Sequence, residues 1–194
     1  MWMKAFGGNV FYVAPSIPKV FNQLGINTLI TSCAGCFNTI RHDYPQVEKL
    51  NFEVLSISQF LCRLWEERRL PLMVPVEKKV TYHDPCHLGR ANQVDDEPRE
   101  IIKAIPGLEL VEMERNYQYS RCCGAGGGVK AGFPEIQNKM AQARIKEAEK
   151  TGASELVSAC PFCYQGLQVG IKELNSPLVM RDITELVAMC LERK

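Results

Sequence analysis

Two adjacent cysteines followed by a glycine run place two soft sulfur ligands at one point of the chain. The stretch is Ser120-Arg121-Cys122-Cys123-Gly124-Ala125-Gly126-Gly127-Gly128. Glycine has no Cβ, so the backbone at Gly124, Gly126 and Gly127 is free to take positive φ, approach a bulky inorganic group and aim N–H groups at sulfur. Cys86 lies thirty-five residues before the pair, and Cys160-Pro161-Phe162-Cys163 begins thirty-six residues after it. Five cysteines in this order (one, a vicinal pair, a CxxC) predict a single soft-metal site. A disulfide within the vicinal pair would close a strained ring. A dinucleotide loop fails because Val129 stands where GxGxxG needs its third glycine.

Other residues carry chemistry with open alternatives. His83 and His87 flank Cys86, and imidazole titrates near neutrality, so both are candidate proton donors to a sulfur leaving group. Either would also serve as a zinc ligand, or simply pack at a strand end. Arg90, Arg121 and Lys130 offer charge to lower thiolate pKa values, offset a cluster or bind anionic thiols, and read equally as solvated surface. Cys62 and Cys190 fall in amphipathic helices away from the motifs and read as small core residues.

The elements that must position these groups alternate between strand and helix. A helix after Ser16 is expected to bury Val20, Phe21 and Leu24 and to stop at Gly25. Asn27–Thr31 reads as a buried strand running into Cys33-Ala34-Gly35-Cys36, within which a helix starts. A strand at Phe52–Ser56 and an amphipathic helix over 58–69 follow. The strand Glu77–His83 delivers Cys86 to a strand end, where ligands gather in open α/β sheets. After a helix over 98–104 and a strand over 108–112, a long helix over 133–151 shows Ile136, Met140, Ala143 and Ile145 as its apolar side. Leu156–Tyr164 matches Leu29–Phe37 at an offset of 127, and Asp182–Leu186 matches Ser56–Phe60 at 126, so a strand–CxxC–helix–strand–helix unit is duplicated. The expected fold is α/β, with two related parallel-sheet, Rossmann-like units packed about a pseudo-two-fold: an incomplete first repeat over 1–76 and a complete one over 77–194.

Composition narrows the class. With 23 Lys+Arg against 22 Asp+Glu among 194 residues, nothing recommends a nucleic-acid or anionic-membrane partner. No signal-peptide pattern opens the chain and no apolar run reaches membrane-spanning length. Nine cysteines in a chain of this type predict a cytoplasmic protein whose clustered thiols serve metal or redox chemistry.

His83-Asp84-Pro85-Cys86-His87-Leu88-Gly89, the Cys122–Gly128 stretch and Cys160-Pro161-Phe162-Cys163 together resemble the cysteine-rich CCG domain family. That family includes the catalytic subunit of heterodisulfide reductase and iron–sulfur subunits of glycolate, lactate and glycerol-3-phosphate oxidising systems. Glu112-Met113-Glu114-Arg115 looks closest to the heterodisulfide-reductase-like branch. The resemblance implies a 4Fe–4S cluster on Cys86, Cys122, Cys123, Cys160 and Cys163, of a non-cubane kind using five thiolates where a cubane needs four. Relatives carry two full copies. Here the offset puts the first vicinal pair before Met1, so Cys33 and Cys36 are expected to form only a partial second site.

The functional expectation is an iron–sulfur oxidoreductase subunit that exchanges electrons with a (hetero)disulfide or a 2-hydroxy-acid-oxidising partner. Electrons would come through an electron-donating or flavin-containing subunit, and any membrane association through such a partner. A zinc-binding scaffold using the same cysteines is the alternative class. A thiol oxidoreductase using CxxC alone leaves Cys86, Cys122 and Cys123 unexplained.

Overall fold

The computed structural model describes residues 16–191; the glycine-bearing, apolar residues 1–13 lie outside them. The elements in order are α1 (Ser16–Gln23), β1 (Thr28–Thr31), α2 (Ala34–His42), β2 (Glu53–Ser56), α3 (Ile57–Glu66), β3 (Lys78–His83), α4 (Gly89–Asn92), α5 (Asp96–Ala104), β4 (Leu108–Leu110), α6 (Val129–Gly132), α7 (Pro134–Glu149), β5 (Glu155–Ser158), α8 (Pro161–Leu174), β6 (Val179–Asp182) and α9 (Ile183–Cys190). The pairings between these strands are all parallel: β1 with β2, and a second sheet in the order β4-β3-β5-β6. The protein is thus α/β with two parallel-sheet units.

The sequence duplication is visible in hydrogen bonds. Thr28 lies opposite Glu53 in the first sheet and Glu155 opposite Val179 in the second, at the offsets that relate the sequences. Each CxxC falls between a strand end and a helix start, with Cys33 capping α2 and Cys160 capping α8. Even the caps after β2 and β6 correspond. Ser56 and Gln59 form a capping box on α3, and Asp182 and Glu185 form one on α9.

The core lies between the central strands and their helices. Val80, Leu156 and Val157 are wholly buried beside Ile101 and Ile102 of α5, Ile145 of α7 and Leu167 of α8, and Ala34 and Phe37 of α2 join the same cluster. Cys62 and Cys190 are buried core residues, as their helical positions implied.

Three burial expectations fail, each for a physical reason. Val20 and Leu24 are 49% and 67% exposed; α1 is held instead by Phe21, edge-on to Phe52 at 5.8 Å between centroids. β1 is not a buried strand, since Ile30 is 38% exposed and β1 pairs with β2 alone among the described strands. On α7, Ile136 is 46% exposed, and the buried face runs through Gln137, Ala141, Arg144, Ile145 and Ala148. Gln137 and Arg144 go inside because the cysteine loop and His83 offer them hydrogen bonds, which makes burying polar atoms tolerable.

Contact between α8 and the cysteine loop gives a first prediction. A Cβ added at Gly166 would stand 2.7 Å from Ala125 Cβ. Gly→Ala within a helix ordinarily stabilises by about 1 kcal/mol, but overpacking costs about 1–3 kcal/mol. Overpacking should win, so Gly166→Ala is expected to lower Tm by several degrees in a thermal melt. A rise in Tm would show that the loop gives way freely.

Candidate metal centre

The site is built where β3 and β5 end side by side, with His83 opposite Ser158 in register. Beyond β3, Asp84 is fixed from three directions. Arg99 Nη1 and Nη2 donate to its two oxygens at 2.7 and 3.2 Å, and the Tyr117 N–H donates to Oδ2 at 3.0 Å. Arg99 is itself buried, bound also to Glu112 at 2.7 and 3.0 Å, and stacked over Tyr117 with its Cζ 3.6 Å from the ring centroid. This clamp holds the turn that presents Cys86, closed by N–H groups of Leu88 and Gly89 donating to Pro85 O.

The vicinal cysteines hang on a loop anchored at Ser120, whose carbonyl accepts from Arg90 Nη2 at 2.6 Å and whose Oγ accepts from Arg144 Nη2 at 3.0 Å. Gly124 takes φ +75°, and its N–H donates to Cys122 Sγ at 3.3 Å, while the Ala125 N–H donates to Cys123 Sγ at 3.5 Å. Gly127 and Gly128 also hold positive φ. Gly126 does not, and a Cβ there would meet no protein atom within 4 Å.

Cys123 Sγ lies 3.3 Å from Cys163 Sγ, and Cys86 and Cys122 are close enough to perturb each other's titration. Cys160 likewise perturbs, and is perturbed by, Cys163 and Cys33. The five predicted ligands line one cavity of about 540 Å³ together with His87, Gly126, Gly127, Gly128 and Lys130. Cys33 belongs to this neighbourhood: its thiol is close enough to Cys160 for the two to perturb each other, and Ala34 and Gly35 of the same CxxC line the cavity. The repeat offset sets the first CxxC apart only because it relates positions within repeats and carries nothing about how the repeats face each other. Cys36 is exposed and bonds through its own N–H to Cys33 Sγ at 3.4 Å.

Crowding divides the protons unequally. Cys122 is driven down by hydrogen bonds from the Cys123 and Cys86 thiols and from the Gly124 amide. Cys160 is driven down by the Cys163 and Cys33 thiols and by the Cys163 and Ala34 amides. Their donors go the other way: Cys86 and Cys33 rise, Cys123 rises to about 12 beside Cys122, and Cys163 rises well above an ordinary thiol. The frame therefore favours anionic sulfur at two points and leaves the remaining protons to be released on metal binding.

The two histidines differ. His87 is exposed and lines the cavity mouth. His83 is wholly buried, and burial together with the Arg144 charge holds its pKa down to about 3. Burial and the Arg144 guanidinium thus both disfavour a charged His83 ring, whereas His87 opens to solvent. Beyond Cys122, a second cavity of about 650 Å³ is lined by Arg90, Arg115, Arg121 and Lys139. Sequence reasoning found Arg90 and Arg121 but missed Arg115 and Lys139, and it missed both buried arginines. Asp84 inside the motif was the available signal for Arg99, since a buried carboxylate calls for a partner.

The frame is a parallel α/β one that gathers cysteine sulfurs from separated segments at its strand ends, the donor set that soft metals favour. Residues 80–168 match the model of the CCG family, described as a cysteine-rich domain. It is 46% identical over 175 residues to a dihydromethanophenazine:CoB–CoM heterodisulfide reductase subunit of Methanosarcina barkeri, covering 89% of this chain and 43% of the relative. A fumarate reductase (CoM/CoB) subunit of Methanothermobacter marburgensis is 42% identical over 166 residues, 85% of this chain and 32% of that one. The probable iron–sulfur-binding oxidoreductase FadF of Bacillus subtilis is 36% identical over 170 residues, 87% and 24% respectively. The chain thus spans less than half the length of these curated relatives. Among the described residues no helix is long and apolar enough to cross a membrane.

Proposed function

We propose that this chain is the cysteine-rich module of an iron–sulfur oxidoreductase of heterodisulfide-reductase-like type, with Cys86, Cys122, Cys123, Cys160 and Cys163 holding a 4Fe–4S cluster of non-cubane kind. The observation that carries this reading is that all five cysteines line one cavity, with the sulfurs of Cys123 and Cys163 3.3 Å apart. A lone tetrahedral zinc ion takes four ligands, so five cysteines on one cavity exceed its needs. The fit extends to the loop, whose positive-φ glycines leave room and whose amides already point at sulfur. Such a cluster supplies single electrons to a two-electron bond.

The chain's own residues then bind and protonate. Arg90, Arg115, Arg121 and Lys139 draw an anionic thiol or disulfide toward Cys122. Cleaving a disulfide to two thiols consumes two electrons and two protons. The electrons come from an electron-donating or flavin-containing partner subunit, and exposed His87 at the mouth relays protons from solvent. A 2-hydroxy-acid-oxidising partner would use the same module as an electron acceptor.

Thiol titrations of the anaerobically reconstituted chain, followed in the visible spectrum, test the substrate side. Mercaptopropionate should bind more tightly than neutral mercaptoethanol, and joint charge reversal at Arg115 and Lys139 should remove about tenfold, ~1.4 kcal/mol, of that preference at low salt. Equal binding of both thiols would count against the anionic substrate class.

A further inference from the structure

His83, at the end of β3, is wholly buried, and its Nδ1 accepts from Arg144 Nε at 3.1 Å. A guanidinium only donates, so Nδ1 is the lone-pair nitrogen and the neutral ring carries its proton on Nε2. Arg144 is locked in turn. Nη1 donates to Arg115 O at 2.7 Å and Glu147 Oε2 at 2.8 Å, and Nη2 donates to Ser120 Oγ at 3.0 Å. Turning the guanidinium would break several of these buried bonds at once, so the tautomer is fixed by the frame.

Nε2 is buried and has no hydrogen-bond partner among the described residues. A ring nitrogen of His83 and the sulfurs of Cys123 and Cys163 lie within 4.8 Å of one another. With Nδ1 engaged by Arg144, Nε2–H is the group left to meet those sulfurs. Leaving a buried donor unpaired is unfavourable, and anionic sulfur on Cys123 and Cys163 would satisfy it. The same tautomer argues against His83 as a metal ligand. Coordination through Nε2 would put the proton on Nδ1, against an arginine N–H that also needs an acceptor.

We propose that His83 is a fixed-tautomer hydrogen-bond donor to the cluster sulfurs around Cys123 and Cys163, with Arg144 as the positioning residue that sets the tautomer. An N–H aimed at cluster sulfur stabilises the more negative, reduced form, so the pair raises the reduction potential. This inference rests on the iron–sulfur reading above, and its test has two arms that fail differently.

In the first arm, long-range proton–nitrogen correlation of the nitrogen-15-labelled, cluster-free full chain at neutral pH should show His83 protonated at Nε2 alone. A proton on Nδ1 would overturn this inference while leaving the iron–sulfur reading intact. In the second arm, potentiometric titration of the reconstituted chain should give a lower midpoint potential for His83→Phe at unchanged iron content. His83→Gln, whose amide offers both an acceptor and a donor, should recover part of the shift. An unchanged potential in His83→Phe also overturns the proposal, and if that variant does not fold, the Gln variant and the wild-type tautomer still decide it. A protein with no iron–sulfur chromophore at all overturns the functional reading first.

Discussion

Cys123→Ser should abolish the visible iron–sulfur absorption of the anaerobically reconstituted chain and remove most of its iron. Cys123 is buried, follows Cys122 in the chain, and its sulfur lies 3.3 Å from that of Cys163. A serine hydroxyl is a hard oxygen that keeps its proton near neutrality, so it would be a poor substitute for a thiolate among soft ligands. Cys36→Ser makes the contrast. Cys36 is exposed, and the cavity is lined without it. That variant should keep about four irons per chain, the content of the cluster type. Cys33→Ser should keep its iron as well but alter the spectrum, because the substituted group lies near Cys160. If Cys36→Ser bleaches the protein as completely as Cys123→Ser, the ligand assignment is wrong.

The second large effect is expected at Arg99. Arg99→Met leaves Asp84 and Glu112 facing each other's charge, with Asp84 buried and its cation gone. Breaking a buried ion pair from one side costs about 3–5 kcal/mol, which for a chain of this size lowers Tm by roughly 6–20 °C. Arg99→Lys should fall between the two, since an ammonium keeps the charge but cannot fork across two carboxylates. The damage should also reach the metal, because Asp84 anchors the turn that carries Cys86. Melting curves of the three proteins, with iron content after reconstitution, check both parts. An Arg99→Met melt within a degree or two of wild type would show that the clamp is ornamental.

Much of the frame was legible because local chemistry and global fold agree. The constant offset between the CxxC segments identified a repeated unit, and the structure repeats even its strand register and its capping boxes. Cys62 and Cys190, read from helical position alone, are core residues. What stayed hidden depends on partners distant in sequence. The Ile136-Met140-Ala143 stripe looks like a core face, yet Arg144 and Gln137 occupy the interior because His83, Ser120 and the Cys123 carbonyl satisfy them. Periodicity counts apolar side chains and cannot see a polar residue whose partners lie twenty or sixty residues away. For the same reason the nearness of Cys33 to Cys160 is a property of how the units pack, which no offset within a repeat encodes.

The central claim is that these cysteines hold an iron–sulfur cluster, and counting the atoms tests it most directly. The chain, purified and reconstituted without oxygen, should contain about four irons and four acid-labile sulfides, with broad visible absorption and no stoichiometric zinc. A colourless protein carrying about one zinc per chain and no sulfide would contradict it.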